Sequence, residues 1–338
     1  MTQLVELRDA FGRFAENDIK LYAISYDDQQ ALSEFAKLEN VPYKLLSDID
    51  SEVIRRFGIL NTQTERSGGP LSGIPYPGAY VVDEDGVVVD KFFYDSYKRR
   101  DSPQNLIDAA LGRVVLAEDN PRARGGDEEI RVSATLHGGN GSLKQGAMRR
   151  LVVRFELREG LHIYGEPVPE GMLPTTVEVR GPDGIVFEDP VYPPTTPLRL
   201  EAAGLTLPIW SGTVDVQIPV YALSRFVSEC RPVDQESVTL EVTVRYQACD
   251  DHDCLLPRTE TLNLEVPVEP VDVQKIGLHA GHGQRESPMH SMAHMRRLVL
   301  RKLRSRPLGL LRYLWQNVRL EWVALRRRAV PPPPDEAG

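Results

Sequence analysis

Cysteine is scarce in this sequence. Its 338 residues hold three, all between positions 230 and 254, so residues 1–229 have none. Three cysteines exclude a disulfide-scaffolded miniprotein, and any thiol chemistry must come from one short stretch. Long apolar runs are missing too. None reaches the roughly 20 residues that a membrane-spanning helix needs. Nothing after Met1 reads as a signal peptide, because charged amphipathic sequence follows at once. Acidic charge is nearly absent from one region only. Between Arg296 and Arg328 stand ten arginines, one lysine and a single acid, Glu321, so this tail carries +10 and the remainder −19 of the net −9. An acidic body with a basic tail is a statement about partners rather than fold.

What is present suits a globular chain of two or three domains: 41% hydrophobic and 26% charged residues, with 26 prolines and 26 glycines. Residues 1–114 alternate helical and strand patterns. Leu4, Leu7, Phe11 and Phe14 line one face of a first helix. "IKLYAIS" (19–25) reads as a buried strand. A second helix follows Asp27 and Asp28, with Leu32, Phe35 and Ala36 inward. "YKLLSD" reads as a strand and "SEVIRRFGI" (51–59) as a short helix. "AYVVDEDGVVVDKFF" (79–93) predicts a hairpin turning at Asp85-Gly86, and "SPQNLIDAAL" a helix capped by Ser102. Alternating strands and helices give an α/β sandwich. Residues 115–128 are polar and read as a linker. From 129 to 268 the texture changes to short strands, among them "IRVSATL", "LVVRFEL", "TVDVQIPV" and "VTLEVTVRY". That pattern predicts an all-β sandwich. Residues 269–338 form a His/Met-rich linker and a basic tail.

The chemistry centres on "YQACDDHDCLLP" (246–257). Alternation of Val238, Leu240, Val242, Val244 and Tyr246 turns Cys249 off the core face. The simplest geometry is a hairpin with Asp250–Asp253 as its loop and both sulfurs at an exposed strand end, within disulfide reach. Three readings compete. A zinc clip needs about four ligands, and the stretch offers Cys249, Cys254 and His252. A structural staple over so short a loop adds about 2 kcal/mol. The third reading is a reversible disulfide. Acidic neighbours raise the thiol pKa values, so an incoming partner would supply the attacking thiolate. Spacing leaves redox and staple about equal. Cys230, in "SECRPVD", has no evident partner and reads as a free or half-buried thiol.

"YQACDDHDCLLP", with "FELREGLHIYGEPVPEGMLPTTVEV" (155–179) upstream, resembles the amino-terminal (alpha) domain of the thiol:disulfide interchange protein DsbD, over about 130–268. The resemblance implies an immunoglobulin-like fold and a redox pair, Cys249 and Cys254. It places Tyr246, Gln247 and His252 beside that pair and makes Cys254 the cysteine of the mixed disulfide. Its implied partner is a thioredoxin-like or DsbD-like redox protein. Residues 1–112 resemble the peroxiredoxin (alkyl hydroperoxide reductase/thiol-specific antioxidant) branch of the thioredoxin fold, with "GIPYPGAYVVDEDGVVV" (73–89) as the segment entering the hairpin. That resemblance implies a cis bond at Tyr76-Pro77. It also implies a reactive cysteine after a first strand, at the start of the helix that here follows Met1. Neither strand nor cysteine is in this sequence, so upstream coding sequence is expected to supply them; a docking scaffold is the alternative. An exported or membrane-associated location follows if the start is internal, a cytoplasmic one if it is not.

The tail offers two further signals. "HAGHGQRESPMHSMAHM" contains His279, His282, His290 and His294 with three methionines, a weak copper or zinc pattern set against a plain linker. Residues 296–328 mix arginine with leucine, Trp315 and Trp322 and are expected to form two helices broken by Pro307 and Gly309. Such helices suit an anionic membrane surface, or packing on the acidic body; nucleic acid is the lesser option. The sequence thus predicts a multi-domain thiol–disulfide oxidoreductase of the redoxin type without a bound cofactor. It joins a thioredoxin-like α/β sandwich to an immunoglobulin-like sandwich and a basic helical tail. The alternatives are a non-catalytic docking module and weak metal handling.

Overall fold

The computed structural model describes residues 2–69, 71–94, 99–200, 204–226, 231–232, 234–250, 253–274, 284–287, 292–305 and 307–328. The first elements are α1 (Thr2–Asp9), α2 (Phe11–Glu16), β1 (Tyr22–Ser25), α3 (Gln29–Leu38), β2 (Lys44–Ser47), α4 (Glu52–Arg56), α5 (Thr62–Ser67), β3 (Gly78–Val82), β4 (Val88–Phe93), β5 (Arg100–Asp101) and α6 (Pro103–Leu111). Strands then dominate: β6 (Arg122–Gly126), β7 (Ile130–His137), β8 (Ala147–Leu157), β9 (His162–Tyr164), β10 (Thr176–Arg180), β11 (Ile185–Phe187), β12 (Thr196–Leu200), β13 (Leu205–Ser211), β14 (Thr213–Ala222), β15 (Ser237–Tyr246), β16 (Ala248–Cys249), β17 (Arg258–Pro267), β18 (Val271–Gln274) and β19 (Gln284–Ser287). Two helices follow, α7 (Met292–Ser305) and α8 (Pro307–Arg328). The chain forms two compact units, Met1–Ile19 with Gly78–Ser287 and Lys20–Pro77 with Pro288–Gly338.

The first unit contains the immunoglobulin-like sandwich. One sheet runs β11-β14-β8-β7-β6, a second β10-β15-β17 and a third β12-β13-β9-β16. The core follows from strand alternation. In β15, Val238, Leu240, Val242, Val244 and Tyr246 are buried, and Leu262, Leu264 and Val266 of β17 join them. Ile130, Val132, Ala134 and Leu136 of β7 and Val214, Val216, Ile218 and Val220 of β14 belong to the same cluster. Two buried charges of this unit are paired. The Arg149 guanidinium is fully enclosed; Nε donates to the Ser142 carbonyl at 2.9 Å, and Nη1 and Nη2 reach the Glu6 carboxylate at 3.4 and 3.3 Å. His137 Nε2 and Asp108 Oδ2, both buried, lie 2.7 Å apart and tie α6 to β7.

The β3–β4 hairpin in this unit forms as expected. Asp83 Oδ1 accepts from the Asp85 and Val87 amides, and Gly86 supplies the positive φ of +79°. Ser102 caps α6 by accepting from the Asn105 amide at 3.3 Å. The single first helix expected from Leu4 to Phe14 is instead two, α1 and α2, joined at Ala10. Leu7 and Phe14 are still buried.

In the second unit β1 and β2 pair in parallel as a two-stranded sheet. The strand expected to be buried is not: Tyr22 is 53% and Ile24 38% exposed. A ladder of two strands gives β1 few neighbours to cover it. Asp28 caps α3 by accepting from the Ala31 amide at 2.8 Å. Leu298 of α7 is buried with Tyr26 and Ile54, and Arg297 bonds Glu34 at 2.7 Å. Pro307 divides the tail into two helices, whereas Gly309 lies within α8. The expected cis bond at Tyr76-Pro77 is a correction: this bond is trans, and among the described residues the cis bond is Glu166–Pro167. The Tyr76 amide bonds the Ile59 carbonyl at 2.6 Å, and Pro77 continues that extended run into β3 with the ordinarily preferred trans bond.

Candidate functional site

Strand β15 ends at Tyr246 and the chain changes sheets at Gln247. Beyond it β16 pairs antiparallel with β9, setting Ala248 opposite Ile163 and Cys249 opposite His162. The chain then turns back over Asp250–Asp253. The Asp250 amide donates to the Asp253 carbonyl at 2.9 Å, and Asp250 Oδ1 accepts from the Asp253 amide at 2.7 Å. Below the turn, the Leu255 amide meets the Ala248 carbonyl at 2.8 Å and Gln247 Nε2 the Leu255 carbonyl at 3.2 Å. Cys249 and Cys254 face each other across this hairpin and are disulfide-bonded, with Cα atoms 4.0 Å apart.

The two sulfurs differ in surroundings. Cys254 is exposed, while Cys249 is 1% exposed. That corrects the expectation that both sit at a solvent-facing strand end. The alternation was sound, because Cys249 lies outside the main core cluster. A second cluster covers it, made of Tyr164 and Leu207 with Val168, Met172 and Ile209 packed against them. β9 brings Tyr164 there and β13 brings Leu207 and Ile209, and no spacing near the cysteines announces them. Of the two cysteines, Cys254 is the one open to solvent.

Tyr164 borders both sulfurs. It packs with Cys249 in the small cluster, and its Oη lies 3.9 Å from Cys254 Sγ. His162 Nε2 is 3.3 Å from the same hydroxyl, and the two rings meet edge to face at 5.3 Å. Burial pushes the Tyr164 pKa up, so the phenol keeps its proton at neutral pH. It can donate to a sulfur that acquires negative charge. In the sequence the His-x-Tyr stretch stands out only as part of a resemblance. What could have flagged it is its parity: His162 and Tyr164 share one strand face.

The other sequence candidates are more dispersed. Tyr246 is a core residue. Its ring stands edge to face on Phe155 at 5.6 Å and its hydroxyl donates to Glu260 at 2.6 Å. Burial, then the bond to Glu260, raises its pKa. Gln247 closes the hairpin mouth through Leu255. Pro77 belongs to the second unit. His252, Cys230, His279, His282 and His290 lie outside the described residues, as does the side chain of His294. Among the described residues no group of three or more His, Cys, Asp and Glu side chains is placed to hold a metal ion.

Fold and disulfide together define a class: a thioredoxin-like segment followed by an immunoglobulin-like domain with a half-exposed cystine. Comparison with known proteins gives each part its family. Residues 1–91 match the AhpC/TSA family, and residues 140–266 match the family described as thiol:disulfide interchange protein DsbD, N-terminal. The chain thus joins an AhpC/TSA-family segment to a DsbD N-terminal-type domain. A Mycobacterium tuberculosis protein with a provisional peroxiredoxin name is 31% identical over 87 residues, covering 26% of this chain and 54% of the relative. Chloroplastic peroxiredoxin Q of Arabidopsis thaliana is 28% identical over 109 residues, 32% of this chain and 45% of the relative. The chain spans about half the length of these two relatives. Among solved structures, the N-terminal periplasmic domain of ScsB from Proteus mirabilis aligns with a TM-score of 0.30 at 14% identity, over 43% of this chain and 51% of that one. The reduced DsbD N-terminal domain of Neisseria meningitidis aligns at 0.24 and 13%, over 45% of this chain and 91% of that one.

Proposed function

We propose that the chain is a thiol–disulfide exchange protein whose working centre is the Cys249–Cys254 pair, carried by a domain spanning 129–268 and preceded by a redoxin-type domain spanning 1–114. The observation that carries this reading is the asymmetry of the cystine: one sulfur open to solvent, the other sealed under Tyr164 and Leu207. A thioredoxin-like dithiol is the partner, as the DsbD N-terminal match suggests. Its thiolate attacks Cys254 Sγ. The Cys249–Cys254 bond breaks, Cys249 leaves as a thiolate and takes a proton, and a mixed disulfide joins Cys254 to the partner. The partner's second thiol then attacks its own sulfur in that bond. The partner leaves oxidised, and this chain holds two thiols, having gained two electrons and two protons. Reduced Cys254 passes them to a client disulfide by the same steps in reverse.

The competing reading is a docking module with a structural staple. Redox titration against glutathione and thioredoxin buffers separates the two. A working pair is reduced under native conditions at a potential near those of thioredoxin-like proteins; a staple sits below about −300 mV and resists until the domain unfolds. In the same assay Cys249→Ser should trap a thioredoxin-like partner through Cys254, and Cys254→Ser should trap poorly. Equal trapping by both variants would remove the assigned order of attack.

A further inference from the structure

Helix α8 carries an apolar stripe that its own unit leaves uncovered. Leu308, Leu311, Trp315, Val318, Trp322 and Leu325 recur at alternating steps of three and four, and each is more than half exposed, from 53% to 69%. At about 1.5 Å per residue the stripe runs roughly 26 Å. Arg312, Arg319 and Arg326 each stand four residues after one stripe residue and one after the next, so they form a basic row along one border. Arg319 lies over the Trp315 ring at 5.8 Å and Arg326 over Trp322 at 3.5 Å.

The orientation of the helix is informative. Gly309 and Tyr313 of α8 lie against Gly68 and Gly69 of its unit. A Cβ on Gly68 would stand 2.9 Å from the Gly309 carbonyl, and one on Gly69 2.8 Å from the Tyr313 ring. At about 100° per residue, Gly309 and Tyr313 lie roughly half a turn from the middle of the stripe. The helix is thus held by its Gly309/Tyr313 face, and the apolar stripe points away. Of α7 and α8, the first is docked by Leu298, with Arg301 and Lys302 near the Tyr26 ring at 5.7 and 5.6 Å.

We propose that α8 lies flat on an anionic lipid surface, with the stripe among the acyl chains and the arginine row at the headgroups. Charge complementarity selects this occupant. A second copy of the helix would present the same arginine row and one acid, Glu321, so its flanking positions would repel. An anionic interface satisfies every arginine at once, and tryptophan is suited to its boundary. No described helix is long and apolar enough to cross a bilayer, so the contact is in the surface plane. The proposal is independent of the disulfide reading, since it uses no residue of that hairpin.

The test uses the full chain with vesicles of phosphatidylcholine alone or mixed with phosphatidylglycerol. Sedimentation with the anionic vesicles only, a blue shift of tryptophan emission, and weakening by salt are expected. Changing Arg312, Arg319 and Arg326 together to glutamine should lower the partition coefficient roughly a hundredfold, at about 1 kcal/mol for each arginine lost. These side chains are exposed, so the fold should survive; circular dichroism checks that. The salt dependence of the unaltered chain decides the matter should the variant misfold. Equal binding to both vesicle types, no binding, or a dimer that hides the stripe and excludes vesicles would each overturn the proposal. Preferential capture by nucleic acid in competition with anionic vesicles would do the same.

Discussion

Replacing each half of the cystine by serine should have unequal costs, and the difference measures what covers Cys249. Cys254→Ser removes the cross-link at an exposed position. The bonded residues are five apart in sequence, and the chain-entropy relation gives about 2 kcal/mol for so short a loop. Cys249→Ser loses the same cross-link and also puts a hydroxyl where a sulfur sat among Tyr164, Leu207 and Met172. An unmatched polar group in such a place costs about 1–3 kcal/mol more, for a total of about 3–5 kcal/mol. Urea unfolding read by Trp210, which is 8% exposed, separates the two once Trp315 and Trp322 are changed to phenylalanine. With a slope near 2 kcal/mol/M the midpoint should fall by about 1 M for Cys254→Ser and by about 2 M for Cys249→Ser. Under reducing conditions the cross-link is absent from every sample. Cys254→Ser should then match the parent, and Cys249→Ser should still be weaker by about 1–3 kcal/mol. Equal midpoints for the two variants under reduction would refute the claim that Cys249 is sealed.

Three further outcomes follow from the same structure. Because the enclosed Arg149 guanidinium holds Glu6, Arg149→Met should lower stability by about 3–5 kcal/mol in thermal unfolding, and adding Glu6→Gln should recover part of it; a loss below about 1 kcal/mol would show that the pair is dispensable. Asp127 accepts from the Ile130 and Glu129 amides and from Arg258, which holds its pKa below the ordinary 3.8. Its stabilising contribution is therefore present above pH 3.8 and disappears as pH falls through the lowered folded value, so Asp127→Asn should be less stable than the parent at pH 7, with the gap narrowing as pH falls below 3.8; a gap that stays constant through acid titration would contradict this. Every cysteine lies between 230 and 254, and peroxide reduction needs a thiolate at the redoxin site, so peroxide consumption with dithiothreitol as donor should not exceed that of a cysteine-free variant; faster turnover would show that a cysteine outside the redoxin site reduces peroxide, against this reasoning.

Local pattern was enough for much of this molecule. Alternation in "SVTLEVTVRY" fixed which side of β15 is core, because a strand's side chains must alternate and only one face could be apolar. The short gap between Cys249 and Cys254 put them within bonding reach, since a four-residue turn leaves its flanks opposite each other. Asp83 and Gly86 specified the β3–β4 turn, and Ser102 the start of α6, for equally local reasons. The heptad-like spacing and arginine content of α8 were also legible. Tertiary structure decided what local pattern could not reach. Cys249 is buried because the chain changes sheets at Gln247 and runs beside β9, which brings Tyr164 to a cysteine 85 residues away. Tyr76-Pro77 is trans although its neighbours resemble a family in which it is cis. Tyr22 and Ile24 are exposed because β1 has a single partner strand, a fact about neighbours rather than about "YAIS". That α8 turns its apolar stripe outward depended on where Gly68 and Gly69 admit Gly309 and Tyr313. Period and turn chemistry act between residues a few positions apart, whereas burial is set by whichever distant strand or helix arrives to cover them.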